Sequence, residues 1–225
     1  MSFDNTCKRL AEQFPEDFAT WLLGEPIALT LLQPTELSNE PIRADSVLLF
    51  RSPKRKILHI EFQTYPHFKI PLRMADYRIR LHRKFPNHEI IQFVIYLRET
   101  GSPLARQTTF EITGLWAQFN VIRLWEVPAE QLMGAPGLLP FAVLGKAKDP
   151  RATLQQAVRE ISQIEDEAKQ QEAMAASYVL AGLKLGVDDI ARIIRRDVMQ
   201  ASVTYQALLE EGRQEGRQEG RQKGR

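Results

Sequence analysis

Cysteine and long apolar stretches are scarce in this sequence. Cys7 is the single cysteine among 225 residues, which excludes an internal disulfide. No apolar run approaches the roughly 20 residues that a helix needs to cross a bilayer, and the first residues lack the basic and apolar regions of a secretory signal peptide. These absences predict a cytoplasmic protein without a membrane partner. No histidine lies near Cys7 in the sequence, so we interpret its thiol as a small buried group rather than a nucleophile.

Net charge is also small, but it is unevenly distributed. The chain has a formal charge of +2, whereas residues 51–98 hold eleven Lys and Arg and three Asp and Glu, a local balance of +8. The rest of the chain therefore carries −6. Concentrated positive charge is expected where a phosphate backbone approaches a protein. DNA is accordingly the predicted partner, and a solvated surface helix is the alternative explanation.

Two apolar runs on either side of a polar connection predict a β-hairpin. The runs are residues 42–50 and 57–64, and both are rich in Ile, Val, Leu and Phe. Residues 51–56 join them with the sequence Arg-Ser-Pro-Lys-Arg-Lys, which is typical of the turn between antiparallel strands.

Each strand of this hairpin contains one carboxylate. Asp45 and Glu61 both lie on the less apolar face of their strand, and Gln63 shares the face of Glu61. If the opposite faces of the two strands form one core, residues that face each other have an even sum, so Asp45 lies opposite Glu61 or Gln63. Each register leaves a five-residue loop, which comprises residues 51–55 in one case and residues 52–56 in the other. The pattern is compatible with both.

Converging carboxylates of this kind indicate a metal site. Neighbouring carboxylates raise each other's pKa unless a cation lies between them, and hard oxygen ligands suit Mg²⁺. Asp45 and Glu61 are the predicted ligands, the Phe62 carbonyl is a third candidate, and Mn²⁺ is the expected substitute for Mg²⁺. A divalent cation in such a site polarises a phosphate and lowers the pKa of an attacking water, as phosphodiester hydrolysis requires.

The spacing of these acids resembles a known nuclease signature. Asp45, fifteen further residues and then Glu61-Phe62-Gln63 resemble the PD-(D/E)XK motif in the Asp…Glu-x-Gln form of the Rpn family, the recombination-promoting nucleases that are also described as transposases. The resemblance covers residues 1–145. Three further features are similar to that family, namely the opening Phe3-Asp4-x-x-x-Lys8, the later Arg73-x-x-x-Tyr77 and the tail of repeated Gly-Arg-Gln-Glu.

The resemblance implies a fold and an activity. It implies an α/β protein with a restriction-endonuclease-like mixed sheet flanked by helices. It also implies metal-dependent hydrolysis of DNA, linked to recombination or mobile elements. Asp4 would then be a third acid of the active site; from the sequence alone, a helix N-cap is the competing interpretation. The same resemblance assigns the catalytic roles to Asp45, Glu61 and Gln63.

Two positions depart from the family signature. Ala44 replaces the usual proline, and Gln63 replaces the usual lysine. A lysine at position 63 would stabilise charge on the phosphate, whereas a carboxamide can orient water or bind metal. One alternative is therefore a catalytically inactive nuclease-like module that binds DNA or serves assembly. A further alternative is an unrelated α/β protein in which Asp45 and Glu61 form surface ion pairs with residues 54–56.

A basic helix is predicted over residues 68–85. At about 100° per residue, one apolar stripe comprises Ile70, Met74, Tyr77 and Leu81, and a second comprises Phe68, Leu72, Ala75 and Ile79. A helix packed on two sides would leave a basic seam exposed between the stripes, formed by Lys69, Arg73, Arg80 and Lys84. Arg73 and Arg80 are two turns apart and are predicted to bind phosphates. Tyr77 borders the seam, either as a core residue or as a direct part of the site.

Other segments are less specific in their chemistry. Residues 5–23 predict helical structure interrupted at Pro15, and strands are predicted over residues 27–32, 90–97, 108–113 and 120–127. The strand over 90–97 is apolar enough to be buried on both faces and to complete a βαβ unit with the basic helix. Trp116 and Trp125 are predicted to lie in the core, and the apolar segment 138–144 is predicted to close the globular body.

The C-terminal third differs in character. A linker over 146–151, a helix from Leu154 towards Gly186, and helices over 188–196 and 198–209 are predicted. These helices could pack on the body, pair with another copy as a homo-oligomer, or form a small helix-turn-helix. Residues 210–225 repeat Glu-Gly-Arg-Gln, which stacks like charges at i,i+4 and adds glycine, so a flexible tail or a helix ordered by other copies is expected. The predicted division is a nuclease-like domain over 1–145, a helical appendage over 146–209 and a tail over 210–225.

Overall fold

A computed structural model describes residues 3–28, 30–32, 47–51, 53 and 55–194 of the chain. The α-helices in these ranges are α1 Phe3–Gln13, α2 Pro15–Leu23, α3 Ile70–Lys84, α4 Ala129–Leu132, α5 Pro150–Ile161, α6 Glu167–Ala181 and α7 Val187–Ile193. The strands are β1 Thr30–Leu32, β2 Val47–Arg51, β3 Lys56–Gln63, β4 Glu89–Tyr96, β5 Thr109–Ile112, β6 Leu115–Gln118 and β7 Asn120–Arg123. Short 3-10 helices lie at Pro103–Arg106, Leu124–Glu126 and Pro136–Leu144.

The main sheet is mixed and has the strand order β1-β2-β3-β4-β7. The pairings of β1 with β2 and of β2 with β3 are antiparallel, whereas β3 with β4 and β4 with β7 are parallel. Helix α3 connects β3 to β4, so the predicted βαβ unit is confirmed. β5 and β6 form a separate antiparallel hairpin. The protein is therefore a mixed α/β protein, as predicted.

The hairpin of β2 and β3 has one of the two predicted registers. Val47 lies opposite Glu61 and Arg51 lies opposite Ile57, so the paired numbers sum to 108, which is the register predicted with a loop of residues 52–56. The even sum is confirmed. Of the two predicted partners of Asp45, only Gln63 has this sum; Asp45 itself lies outside the described residues.

Both faces of the sheet are covered. On one face, Leu58, Ile60 and Phe62 of β3 enter a large core that also contains residues of α1, α2, α5 and α6. Phe62 stacks on Phe141 with ring centroids 5.9 Å apart, and Phe18 meets Phe62 edge to face at 6.2 Å. These contacts explain why the 3-10 helix Pro136–Leu144 is buried. The apolar segment predicted to close the body thus forms the centre of its core.

The other face of the sheet lies under α3. Ile57 packs with Tyr77 and Leu81, and nearer the start of the helix Ile70 and Met74 pack with Val94 of β4. The first predicted stripe of α3 is buried as expected. The prediction that the second stripe is also buried is wrong except for Ala75, because Phe68, Leu72 and Ile79 are 67%, 53% and 41% exposed. The helix packs on one side, and its opposite side faces solvent.

The C-terminal helices pack on the body. Leu154 of α5 and Met174 of α6 lie in the same core as Leu10 of α1, which is the first of the three predicted arrangements. The single helix predicted towards Gly186 is wrong, because α5 ends at Ile161 and α6 begins after Asp166, whose side chain accepts from the Lys169 backbone N–H. The predicted domain boundaries and homo-oligomer stay predictions. Segments 198–209 and 210–225 lie outside the described residues.

Three smaller expectations also change. Trp116 is 59% exposed on the β5–β6 hairpin, so its predicted place in the core is wrong, whereas Trp125 is partly buried. The strand predicted to reach Val127 ends at Arg123, where a 3-10 helix begins. The linker predicted over 146–151 is shorter than expected, because α5 begins at Pro150. Within the described ranges, none of the helices combines the length and the apolar character that a membrane span would need.

Candidate active site around Glu61

Glu61 is the centre of the candidate site, and its side chain is fully buried. Its Oε1 accepts a hydrogen bond of 3.0 Å from Gln63 Nε2 and forms an ion pair with Arg73 Nη2. Its Oε2 is buried and has no hydrogen-bond partner among the described residues. One oxygen of the carboxylate thus contacts two protein groups, and the other contacts no polar group in the described part of the chain.

Strand alternation and the position of α3 bring these side chains together. Glu61 and Gln63 lie on the α3 face of β3, near the carboxyl end of that strand. Arg73 lies one turn after the start of α3, on the flank of the helix rather than at the centre of its buried stripe, and it is about one-third exposed. A carboxylate at the end of a parallel strand therefore faces an arginine on the covering helix.

Burial dominates the protonation of Glu61. Loss of hydration raises the pKa of its carboxyl group to about 7, although the charge and the hydrogen bond of Arg73 act in the opposite direction. The negative charge of Asp4 raises the same pKa slightly further. Burial, with the charge of Glu61 as a second cause, also raises the pKa of Tyr77 and of Tyr96 to about 12.

Asp4 lies close enough to influence this carboxylate. It is in the first turn of α1, which begins at Phe3, so the interpretation as an N-cap residue is wrong. Thr64 Oγ1 donates to Asp4 Oδ1 over 3.4 Å, and Thr64 directly follows Gln63. Asp4 is therefore next to the end of β3, where the resemblance places a third acid. Cys7 is buried one turn further along α1, and burial holds its pKa well above the usual value.

The oxygen atoms present are compatible with a divalent cation. The unpartnered Glu61 Oε2 is a hard ligand of the type that Mg²⁺ prefers. The Gln63 carbonyl accepts from the Leu97 N–H on the β4 side, so alternation along the strand turns the Phe62 carbonyl towards β2. Asp45, the other predicted ligand, lies outside the described residues. Within the described ranges there is no cluster of three or more His, Cys, Asp or Glu.

The predicted basic seam has mixed environments. Lys69 and Lys84 are exposed, whereas Arg73 pairs with Glu61 and Arg80 pairs with Asp76 one turn away, at 3.0 Å. The two lysines are thus the exposed members of the predicted seam, whereas both arginines contact carboxylates.

Tyr77 and Lys56 bear on two of the alternatives that the sequence left open. Tyr77 is buried against His59, with ring centroids 5.1 Å apart, as the core interpretation predicted. Lys56 pairs with Glu25 at 2.9 Å rather than with Glu61. A surface ion pair between Glu61 and the turn lysines is therefore wrong, because Glu61 is buried and faces Arg73.

The comparisons gave no match. No family model, no curated protein and no solved structure resembles the chain at a significant level. The geometry of the site and the resemblance of its motif therefore carry the functional argument.

Sequence reasoning missed a buried polar network beside the site. Gln92 Oε1 accepts from Arg78 Nε at 2.9 Å, and Gln92 Nε2 donates to the Met74 carbonyl at 2.9 Å and to His59 Nδ1 at 3.0 Å. The arginine and the carbonyl fix the orientation of the amide, which makes His59 Nδ1 an acceptor and leaves the proton on Nε2. Burial, followed by the charges of Arg73 and Arg78, lowers the His59 pKa to about 3.

A signal for this network was present in the sequence. His59 and Gln92 are polar interruptions in two of the most apolar strands of the chain, and a buried polar side chain needs a partner. The sequence did not indicate that Arg78 is their partner, because Arg78 lies on the flank of α3 opposite the predicted seam. Burial and the charges of Arg73 and Arg78 keep His59 neutral at physiological pH, and its ring packs against Tyr77.

Proposed function

We propose that the protein is a metal-dependent endonuclease that hydrolyses phosphodiester bonds in DNA. The observation that carries this proposal is the fully buried Glu61 carboxylate, which lies beside Gln63 and Asp4 and has one oxygen without a hydrogen-bond partner among the described residues. Burying an ionisable group without full pairing costs stability, and such groups concentrate at functional sites. The resemblance of this motif to the Rpn family supports the reaction and the expected link to recombination or mobile elements.

The residues of the candidate site have different roles in the proposed reaction. When bound, Mg²⁺ or Mn²⁺ would supply Lewis acidity and a water of lowered pKa, held by Glu61, the Phe62 carbonyl and Asp45. Gln63 is fixed by its hydrogen bond to Glu61 and can orient water through its amide. Arg73 keeps the Glu61 side chain in position, and its buried Nε has no hydrogen-bond partner among the described residues. That donor suits a phosphate oxygen of the substrate.

Plasmid nicking tests the proposal. Purified protein should convert supercoiled plasmid into the open-circular form with Mg²⁺ or Mn²⁺ and not with EDTA. Glu61→Gln should abolish cleavage, because a neutral amide is a poor ligand for a hard cation. Glu130→Gln, at an exposed position on α4, is the matched control and should cleave normally. Equal activity of the Glu61 variant and the wild type would refute the assignment.

Gln63 variants separate positioning of water from binding of metal. Gln63→Ala should reduce the cleavage rate by roughly 10²–10³, the usual cost of one preorganised polar contact, without abolishing cleavage. Gln63→Lys restores the residue of the family signature and should retain or increase activity. Complete inactivity of Gln63→Ala in a folded protein would make Gln63 a metal ligand instead.

One observation favours a second function. Arg73 already compensates the charge of Glu61, and the signature lysine is absent, so the site could persist in a protein that no longer cleaves. That protein would be a DNA-binding or assembly module. Duplex binding by wild type without metal-dependent nicking would support this function and reject the nuclease.

A further inference from the structure

Two pairs of exposed aromatic and basic side chains follow the end of β3 and the end of β4. Tyr65 is 58% and Phe68 is 67% exposed. Arg98 Nη1 donates to the Tyr65 hydroxyl, and its guanidinium carbon is 5.4 Å from the Tyr65 ring centroid. Lys69 Nζ lies 5.8 Å from the Phe68 ring centroid. We refer to Tyr65 and Arg98, which contact each other, as the Tyr65 platform.

The platform is attached directly to the strands that carry the site. Tyr65 is two residues after Gln63, and Arg98 is two residues after Tyr96, the partner of Gln63 across β3 and β4. Tyr65 and Arg98 line a cavity of about 400 Å³ whose other walls are Phe3, Thr64, Gly182 and Leu183. Thr64 in that wall also hydrogen-bonds Asp4. A ligand in this cavity would therefore lie close to Asp4, one of the candidate catalytic acids.

The chemistry of the platform matches a flexible nucleic-acid strand. Exposed aromatic rings bind bases through their faces, and nearby cations bind the phosphates that connect those bases. The bases of a duplex are already stacked on each other, so only unpaired bases can use a protein ring.

We propose that the Tyr65 platform binds unpaired nucleotides of a DNA strand, with a base stacked on Tyr65 and a phosphate at Arg98. The role of these nucleotides as substrate rests on the nuclease function proposed above; the binding itself does not. The site then acts on single-stranded or locally opened DNA.

Binding without metal tests the platform separately from catalysis. Fluorescence anisotropy in EDTA compares an oligothymidylate of about 20 nucleotides, which exceeds a typical binding site, with a duplex of equal length. Wild type should bind the single strand more tightly. Tyr65→Leu should weaken single-strand binding by about 5- to 100-fold, as expected for one lost stacking contact, and should leave duplex binding unchanged.

Two variants complete the design. Arg98→Met should also weaken single-strand binding, and it should flatten the dependence on salt by a slope of about 0.7 for one lost phosphate contact. Trp116→Leu is the matched control, because Trp116 is 59% exposed on the separate β5–β6 hairpin. This control should bind both ligands as wild type does.

The outcomes distinguish the two proposals. Equal wild-type affinity for single strand and duplex, or unchanged single-strand binding by Tyr65→Leu, would overturn the platform even if plasmid is cleaved. Loss of binding in Trp116→Leu alone would move the stacking site to the hairpin and also overturn it. Single-strand binding that depends on Tyr65, in a protein that cleaves nothing, would support the platform and reject only the nuclease.

Discussion

Replacing Glu61 by glutamine should stabilise the protein above neutral pH, although it should abolish cleavage. In wild type the buried carboxyl must lose its proton as the pH rises, and burial makes this ionisation unfavourable despite Arg73. Glutamine has a similar shape and never ionises. The variant should therefore keep a stability that wild type loses, which is the conflict between stability and activity expected at a functional site.

The pKa shift sets the direction and size of the effect. Burial raises the Glu61 pKa from the usual 4.5 to about 7 in the folded protein. Between these values the folded state holds one proton more than the unfolded state, so the unfolding free energy falls as the pH rises. At about 1.4 kcal/mol per pKa unit, the shift corresponds to about 3 kcal/mol in total. The loss begins near pH 4.5 and is complete just above pH 7.

His59 acts in the opposite direction, and a difference measurement removes its effect. Its folded pKa of about 3 lies below the usual 6.5, so the unfolded state holds the extra proton between these values and stability rises with pH. In wild type the two effects nearly cancel between pH 4.5 and 6.5. Subtracting the unfolding free energy of wild type from that of Glu61→Gln leaves only the pH dependence due to Glu61, because His59 is present in both proteins.

Urea unfolding followed by circular dichroism, in metal-free buffers from pH 4 to 8, provides the test. The stability difference between Glu61→Gln and wild type should be constant below pH 4.5 and grow by about 3 kcal/mol towards pH 8. Glu130→Gln, at an exposed position, should show no such growth. A difference that stays constant or falls towards pH 8 would show that Arg73 balances or outweighs burial and that the Glu61 pKa is not raised.

Two further predictions concern DNA binding and packing. Lys69→Gln combined with Lys84→Gln should weaken binding to all duplex sequences alike and flatten its salt dependence by a slope of about 2, whereas the exposed pair Lys146→Gln and Lys148→Gln should change neither. Unchanged binding of the first pair in a fluorescence anisotropy titration would make α3 a solvated surface. Gly137→Ala should lower the unfolding free energy by about 1–3 kcal/mol or more, because its added Cβ would lie 2.4 Å from Phe14 Cβ. Gly101→Ala, whose Cβ would meet nothing within 4 Å, is the control, and an equally small effect of both substitutions in urea unfolding would contradict the described packing.

Local signals predicted much of the fold. Pro15 separates α1 from α2 because proline is tolerated in the first turn of a helix and not in its interior. Alternation fixed the parity of the hairpin, although a choice between two even registers needs the geometry of the turn. The βαβ unit followed from an apolar strand after an amphipathic helix. In each case the deciding interaction lies within a few residues along the chain.

The burial of Glu61 could not be predicted in the same way. The face of β3 with His59, Glu61 and Gln63 is polar enough to suggest solvent, yet α3 covers it and supplies Arg73 as the compensating charge. A sequence pattern does not show which surface a helix will cover. One indication was available in the sequence, since Ile57 lies on the same face of β3. In the structure this isoleucine is buried.

The helical periodicity of residues 68–85 did not show which side of α3 is buried, because two stripes are apolar. The stripes of α3 are equally apolar in composition, so the sequence could not show that Phe68, Leu72 and Ile79 stay exposed. The second strand of the β5–β6 hairpin was missed because its exposed Trp116 suggested a core residue. Gly114 between the two strands has a φ of 82°, a conformation that favours glycine and marks the turn.

The shared core of α1 and α6 affects how the chain must fold during its synthesis. Leu10 and Leu180 belong to one buried cluster although they are far apart in sequence. At about 5–20 residues per second, roughly 10–30 s pass between the synthesis of the first helix and that of its partner. During this interval the apolar side of α1 is exposed in the growing chain. The nascent N-terminal half is therefore expected to need a chaperone, and C-terminal truncations are expected to aggregate rather than to yield a smaller folded nuclease.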